Sequence, residues 1–165
     1  DRSKSSVHGL TASVVDAALS VKTKFFVVID GDLQHPPEKI KEIVQRLREG
    51  NNLVIGTRRK VVTNWPLRRR IMSEGATILA KIRIKWKVAD PMSGFFGVHS
   101  ELFKKIAAAK GKKFESAGYK VLFDFLKYAP ELRIKEVNYN FGERKGGKSK
   151  IRIKHIFLMV RALLK

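Results

Sequence analysis

The feature that most constrains the fold is an alternation of helical patterns with short apolar runs. Apolar side chains recur at helical spacing from Val7 to Val21, and the continuous apolar run Phe25–Ile29 follows. A short run of this kind is typical of a strand buried on both faces of a parallel sheet. The two kinds of pattern go on alternating along the chain, which indicates an α/β fold with a mostly parallel sheet and helices on its faces.

Glycines and prolines mark where the other elements begin and end. A second helix is predicted to begin at Pro37 and to end before Gly50. After it we expect a strand at Leu53–Ile55, a long helix at Pro66–Ile84 and a strand or close-packed turn at Ser93–Val98. A further helix is expected at Tyr119–Tyr128 and a last strand at Leu132–Phe141. We find no internal repeat or linker and expect one α/β domain.

Composition narrows the class of protein. The chain has 165 residues, 44% of them hydrophobic, which suits one compact domain with a substantial core. It contains no cysteine, which excludes disulfides and thiolate zinc sites. Because 35 Lys and Arg oppose 15 Asp and Glu, the formal net charge is +20, and we expect partners that carry phosphate. No apolar run approaches the ~20 residues needed to cross a bilayer.

Two carboxylates, Asp30 and Asp32, follow the Phe25–Ile29 run with one glycine between them. Ligands of open α/β sheets bind beyond the carboxyl ends of the strands, so the pair stands where a ligand would bind. Carboxylates this close repel each other, and Mg²⁺ or Mn²⁺, with Gln34 as a further oxygen ligand, would relieve the repulsion. The alternative is an acidic turn that begins the second helix, because motifs this short often arise by chance.

Five motifs follow one another along the chain. They are VVIDGDLQHPPE at residues 27–38, GTR at 56–58, RRRIMSEGA at 68–76, DPMSGFFGV at 90–98 and FGERKGGKSK at 141–150. Together they resemble the polyprenyl-phosphate glycosyltransferases of the inverting A-fold type, glycosyltransferase family two, and among these the enzymes that make dolichol-phosphate mannose. The resemblance implies that residues 1–150 form a nucleotide-sugar-binding A-fold domain, a Rossmann-like sheet with helices on both faces.

The resemblance also assigns roles to residues within the motifs. It implies that the metal ion on the donor's diphosphate is held by Asp30, Asp32 and Gln34, and that the acceptor's phosphate is bound by Arg58, Arg69 and Ser73. It further implies donor-phosphate contacts from Arg144 and Lys148, with Asp90 and Arg144 as the catalytic residues. From its neighbours alone Asp90 is equally a turn-former, because a proline and a Ser-Gly pair follow it.

The implied reaction is metal-dependent, inverting transfer of a sugar, with mannose and GDP-mannose favoured, from a nucleoside-diphosphate sugar to a polyprenyl (dolichyl) phosphate, with Mg²⁺ or Mn²⁺ as cofactor. The residues themselves leave the nucleotide, the sugar and the polyprenyl lipid open. The residue types suit this chemistry. A divalent ion and a guanidinium can neutralise the leaving diphosphate. The acceptor is a phosphate monoester whose second pKa is about 6, so it is already largely ionised at neutral pH and needs no general base.

Two other classes of function share parts of the pattern. Phosphatases of the haloacid dehalogenase type also place Asp-x-Asp after an apolar strand, but they ordinarily have Thr or Val where Gln34 stands. A nucleic-acid-binding module would explain the charge, yet the sequence has no cluster of base-stacking aromatics, and no nucleic-acid partner is expected. His35 could ligate metal, but a single histidine in a polar turn is more often a contact at the start of a helix.

Residues 151–165 show a pattern of their own. Apolar side chains from Ile153 to Leu164 fall on one helical face, and lysines and arginines on another. This is typical of a helix lying in a membrane interface, and the alternative is docking on the domain's own core. Because the implied acceptor is a lipid, we expect peripheral binding to the anionic cytoplasmic face of a membrane, with any transmembrane helices downstream in a longer parent protein.

The family normally begins with a strand, a helix and a strand that hold the nucleotide base, and the sequence as given passes directly into the helix before Phe25–Ile29. We therefore expect this strand to lack a neighbour, which would leave an edge open to self-association. Sugar transfer by this chain alone is expected to be weak or absent.

Overall fold

The computed structural model describes residues 9–61, 75, 77–118, 120–142 and 161. The helices are α1 (Leu10–Ser20), α2 (Lys39–Arg48), α3 (Ser100–Lys110) and α4 (Val121–Tyr128), with a 3₁₀ turn at Gly111–Lys113. Residues 77–83 are also helical. The strands are β1 (Phe25–Val28), β2 (Leu53–Val61), β3 (Phe96–His99) and β4 (Ile134–Phe141).

These strands form one mixed sheet in the order β1-β3-β2-β4. Strand β3 pairs antiparallel with both β1 and β2, whereas β2 and β4 are parallel. Strands β1, β2 and β4 therefore run in one direction, and β3 opposes them. The predicted α/β class is confirmed, and the segment predicted as a strand or close-packed turn, Ser93–Val98, contains the first three residues of β3.

The reversed strand brings a loop to the functional edge of the sheet. Because β3 begins opposite the end of β1, with Phe96 in register with Val28, the loop that precedes β3 lies at the edge where β1, β2 and β4 end. Ligands of such sheets bind beyond these carboxyl ends. The loop from Asp90 to Phe95 thus approaches the Asp-Gly-Asp motif although 58 or more residues separate them in the sequence.

Two apolar clusters cover the two faces of the sheet. One cluster includes Leu53 and Ile55 of β2, together with residues of α1, α3 and α4. The other includes Val54 of β2 and residues of α2 and β4. Alternate side chains of a strand point to opposite faces, so the split within β2 is the one expected of a sheet covered on both sides.

Helix α2 packs against the sheet at a glycine. A Cβ added to Gly97 would lie 2.5 Å from Cγ2 of Ile43 and 2.9 Å from Cδ1 of Leu47. Ile43 and Leu47 are the buried residues of α2. The glycine thus permits the close approach of the helix that follows the Asp-Gly-Asp loop, and it fixes the height of that helix above β3.

The element boundaries differ from those predicted in several places. Strand β2 extends to Val61, six residues beyond the predicted Leu53–Ile55, because its second half pairs with β4. Helix α4 begins at Val121 and strand β4 at Ile134, each two residues later than predicted. Helix α3 was not predicted, although Phe103, Ile106 and Ala107 give it a buried helical stripe.

Strand β1 is less buried than its sequence predicted. Its four side chains are all half-buried, and among the described strands it pairs with β3 only. Self-association through this edge stays a prediction.

The division at residue 150 falls outside the described residues, as does the tail apart from Arg161. Arg161 is helical, and its Nε lies 3.2 Å from Oε2 of the buried Glu115. Within the described part of the chain, no helix is long and apolar enough to cross a membrane.

Candidate functional site

The Asp-Gly-Asp loop turns at Leu33 rather than at its glycine. Leu33 has a φ of 58°, in the left-handed region that most side chains avoid, whereas Gly31 is not among the residues with positive φ. The Asp32 carboxylate accepts a hydrogen bond at 3.2 Å from the backbone N–H of Gln34, which closes the turn. Asp32 therefore shapes its own loop as well as carrying charge at the sheet edge.

One oxygen of Asp30 lies beside both His35 and Gly94. Its Oδ2 lies 3.3 Å from Nε2 of His35. A Cβ added to Gly94 would lie 2.8 Å from the same oxygen, so the glycine before β3 provides the space that this carboxylate occupies. The motifs DGDLQH and DPMSGFF, distant in sequence, therefore meet at the Asp30 carboxylate.

Gln34 joins the loop to the end of β4. Its Nε2 donates to the carbonyl of Gly142 at 3.1 Å, and the backbone N–H of Gly142 donates to the carbonyl of Gln34 at 2.9 Å. Because the amide nitrogen is used in this way, Oε1 is the side-chain atom that can serve as a metal ligand. The same pair of hydrogen bonds fixes the point from which the chain leaves β4.

Asp90 and Arg58 form a partly buried ion pair. The Nε of Arg58 on β2 donates to Oδ2 of Asp90 at 2.8 Å, and the guanidinium also lies 5.6 Å from the ring centroid of Phe141. The other Asp90 oxygen accepts the backbone N–H of Met92 at 3.2 Å. Asp90 is therefore both a turn-former and a charged partner of Arg58, and its catalytic role stays a prediction.

Lys120, directly before α4, was not predicted from the sequence. Its ammonium donates to the carbonyl of Met92 at 2.8 Å. Burial lowers the pKa of this lysine from 10.5 to about 8; nearby Asp90 and Asp30 oppose the shift and Arg58 adds to it. The shift shows that Lys120 shares an electrostatic environment with the residues of the site. No local sequence signal marks it, since the chain contains many lysines.

Among the described residues, Tyr139 on β4 also has a strongly shifted pKa. Burial is the main cause that raises the pKa of its phenol, and the nearby Asp90 and Asp30 carboxylates act in the same direction against the influence of Arg58. The hydroxyl therefore keeps its proton at neutral pH. It lies 2.7 Å from Nδ1 of His35, so the prediction that His35 is merely a helix-start contact misses its two side-chain partners.

The structure thus brings together part of the predicted site. Asp30, Asp32, Gln34, Arg58 and Asp90 all belong to the connected region at the carboxyl edge of the sheet. The remaining predicted residues lie outside the described residues: Arg69, Ser73, Arg144 and Lys148.

The oxygen atoms of Asp30, Asp32 and Gln34 suit a hard divalent ion that a bound diphosphate also helps to coordinate. No group of three or more His, Cys, Asp or Glu side chains in the described ranges is placed to hold a metal ion. Two carboxylates and the Gln34 amide oxygen are the oxygen donors that Mg²⁺ and Mn²⁺ accept, and both ions commonly complete their coordination with water and substrate phosphates. These residues therefore suit an ion that arrives with a diphosphate.

Comparison with known proteins agrees with the motif resemblance. The model of the family described as glycosyl transferase family 2 matches residues 2–107. The dolichol-phosphate mannosyltransferase of Pyrococcus furiosus is 33% identical over 158 residues, which is 93% of this chain and 43% of the relative. The enzyme of the same name from Mycosarcoma maydis is 34% identical and covers 98% of this chain and 55% of its own length. The chain thus spans about half the length of these curated relatives.

A solved structure shares the fold. Glucosyl-3-phosphoglycerate synthase from Mycobacterium tuberculosis, in complex with Mn²⁺, UDP-glucose and phosphoglyceric acid, superposes with a TM-score of 0.55 at 20% identity. The likeness covers 94% of this chain and 52% of the other. At this identity it establishes the glycosyltransferase fold of the chain.

The shifted pKa of Lys120 predicts a pH-dependent stability. Since its folded pKa of about 8 is below the unfolded value of 10.5, the unfolded chain binds more protons between these values, and stability rises with pH across that window. Between pH 7.5 and pH 9.5 the free energy of unfolding of the wild type, relative to that of Lys120→Met, should increase by about 2 kcal/mol. Urea unfolding of both proteins at the two pH values measures this difference. A constant difference would show that the lysine is not desolvated.

Proposed function

The chain belongs to glycosyl transferase family 2, and from this premise we propose that it is the part of a polyprenyl-phosphate mannosyltransferase that binds the metal and the phosphates. The proposed reaction is inverting transfer of mannose from GDP-mannose to dolichyl or a related polyprenyl phosphate, with Mg²⁺ or Mn²⁺. The observation that carries the proposal is the meeting of Asp30 with the loop of Asp90, whose carboxylate in turn holds Arg58. Acidic and basic groups suited to the two phosphate substrates thus lie at one edge of the sheet.

The names of the relatives support the substrate class. Matches over nearly the whole chain are to enzymes called dolichol-phosphate mannosyltransferase, and a weaker one is to a polyprenol monophosphomannose synthase of Mycolicibacterium smegmatis. These names agree on a mannosyl group and a polyprenyl phosphate. The family and the curated relatives named above are glycosyltransferases, not phosphatases or nucleic-acid-binding proteins.

On the donor side, Asp30, Asp32 and Gln34 would supply oxygen ligands to the metal ion. When bound, the ion neutralises the diphosphate and makes it a better leaving group. The presence of Mn²⁺ with UDP-glucose in the glucosyl-3-phosphoglycerate synthase complex supports metal use within this fold. Arg144 and Lys148, which the resemblance assigns to the donor phosphates, would add positive charge.

On the acceptor side, we assign the phosphate to Arg58. Asp90 engages Nε, so the two terminal nitrogens of the guanidinium are the ones that would bind the phosphate. An arginine fixed in this way matches a phosphate at low entropic cost, because its orientation is set before the substrate binds. We assign Arg69 and Ser73 to the same phosphate, and Asp90 orients the acceptor through Arg58.

The transfer step needs positioning more than proton abstraction. An oxygen of the ionised acceptor phosphate attacks the anomeric carbon as the bond from that carbon to the diphosphate breaks, and a single displacement inverts the centre. No proton has to leave the nucleophile. The protein's task is to bring two anions together, and the positive charge of Arg58 and Lys120, close to Asp30 and Asp90, lowers the cost of doing so.

A membrane-facing surface fits a lipid acceptor. Ile78, Leu79 and Ile82 are 60%, 54% and 74% exposed although they are large apolar residues of one helical segment. Four exposed cations surround or follow them: Lys81, Arg83, Lys85 and Lys87. An apolar stripe among cations is typical of a helix that lies on anionic lipid, and the same segment leads directly to Asp90.

The proposed reaction is tested by direct transfer assays. The chain with its natural flanking sequence should transfer radiolabelled mannose from GDP-mannose to dolichyl phosphate when Mn²⁺ or Mg²⁺ is present. Asp32→Asn should lower kcat/KM by about 100-fold, because the charge of the leaving diphosphate is then less well neutralised. The exposed Glu131→Gln serves as the matched control and should not differ from wild type. Full activity in EDTA, or release of inorganic phosphate without mannosyl transfer, would contradict the proposal.

The membrane surface is tested separately by vesicle flotation. Replacing Ile78 and Ile82 by Glu should weaken binding to vesicles containing 30% anionic phospholipid by about tenfold, because apolar area is lost and negative charge is added. Leu19→Glu, on α1, changes a leucine that is 51% exposed and should have little effect. Since all three side chains are exposed, the melting temperatures should stay within a few degrees of wild type. If Leu19→Glu lost as much vesicle binding as the Ile78 and Ile82 variant, the loss would be a non-specific effect of added negative charge, and the proposed membrane surface would be wrong.

A further inference from the structure

His35 connects the buried core to the acidic edge of the sheet. Its side chain is 4% exposed, whereas that of Asp30 is 44% exposed. One ring nitrogen, Nδ1, lies 2.7 Å from the hydroxyl of Tyr139, and the other, Nε2, lies 3.3 Å from Oδ2 of Asp30. A chain of three side chains thus runs from β4, through the imidazole, to the first aspartate of the motif.

Aromatic side chains enclose the imidazole. Its ring centroid lies 5.4 Å from that of Phe95, 5.4 Å from that of Tyr139 and 5.2 Å from that of Phe141. Phe95 is fully buried and Tyr139 and Phe141 nearly so. Close-packed interiors leave little room for a buried ring to change its rotamer, so both nitrogens of His35 are fixed in direction.

The hydrogen bonding determines what Nε2 presents to Asp30. The Tyr139 hydroxyl can donate to Nδ1, which puts the ring proton on Nε2. A carboxylate oxygen accepts hydrogen bonds, so Nε2–H donates to Oδ2 of Asp30 in this tautomer. This tautomer makes both contacts hydrogen bonds, whereas a proton on Nδ1 alone would leave Nε2 facing the carboxylate without one.

We propose that His35 is a positioning residue that fixes the Asp30 carboxylate in the orientation needed to bind the metal–diphosphate. The inference rests on the proposed function, because it takes Asp30 to be a metal ligand. His35 holds Oδ2, and the lack of a Cβ at Gly94 leaves the space that this oxygen occupies. The His35 contact restricts rotation of the carboxylate, so the ion meets a ligand that is already oriented. Partners of this kind typically change metal affinity by 10–100-fold when removed.

The role differs from those already assigned. His35 does not contact the substrate and is not offered as a metal ligand, since its two nitrogens are directed at Tyr139 and Asp30. It also explains why a tyrosine on β4, 104 residues away in sequence from the histidine, forms part of the site.

The test measures Mn²⁺ affinity by electron paramagnetic resonance with saturating GDP, using the chain with its natural flanking sequence. His35→Leu removes both nitrogens and should weaken Mn²⁺ binding at least tenfold. His35→Gln keeps an N–H donor at similar reach and should recover most of that loss. Tyr139→Phe removes only the hydroxyl. As a single change it should weaken Mn²⁺ binding severalfold, and added to His35→Leu it should have no further effect.

Recovery of Mn²⁺ affinity in His35→Gln, and the absence of a further loss when Tyr139→Phe is added to His35→Leu, indicate positioning. A merely structural role would instead reduce the affinity in proportion to the lost stability. Thermal unfolding of each variant monitors that stability, and Tyr139→Phe is the informative variant if His35→Leu fails to fold. If Asp32→Asn abolishes Mn²⁺ binding while folded His35→Leu, His35→Gln and Tyr139→Phe bind as wild type, the positioning role is wrong and the metal site stands. If Asp32→Asn also binds as wild type, the metal site and the positioning role are both wrong.

Discussion

The ion pair between Arg58 and Asp90 is the interaction on which the arrangement of the sheet edge depends. Asp90 is 5% exposed, and a buried carboxylate is tolerated only when a cation and hydrogen-bond donors compensate for its lost hydration. Arg58 supplies the cation from β2, and the backbone of Met92 supplies a donor. The pairing fixes the loop before β3 against the end of β2, and this loop carries Gly94 to Asp30.

The direction of β3 is what makes this arrangement possible. In a purely parallel sheet the segment before each strand lies at the opposite edge from the functional one. Because β3 is reversed, its preceding loop joins the ends of β1, β2 and β4 at one edge. Acidic residues come from the loops after β1 and before β3, and Arg58 comes from β2. Because the acidic and basic groups come from different elements, carboxylates can gather for the metal ion while Arg58 remains charged for the phosphate.

Local sequence patterns predicted those parts of the molecule that depend on neighbours in the chain. The apolar run of β1, the start of α2 after Pro37 and the Asp-Gly-Asp motif at a strand end all follow from periodicity, turn chemistry and short motifs. The direction of β3 could not be predicted in this way, because it depends on pairing with strands far away in sequence. The same reason explains why His35 was read as a local contact, since its partner Tyr139 lies on β4. Lys120 could not be predicted, because desolvation is a property of the packed structure. Helix α3 differs from it, since the spacing of Phe103, Ile106 and Ala107 is a periodic signal within the sequence itself.

The most direct test of the account is to locate the bound metal by paramagnetic broadening in the ¹H–¹⁵N spectrum. With substoichiometric Mn²⁺ and excess nucleoside diphosphate, the backbone amides of residues 30–34, Gly94 and Gly142 should broaden first, because they surround the proposed ligands. Ser100, whose N–H bonds the carbonyl of Lys24 at the opposite edge of the sheet, should be among the last affected. Broadening centred on that opposite edge, or none at residues 30–34, would contradict the assignment of the site.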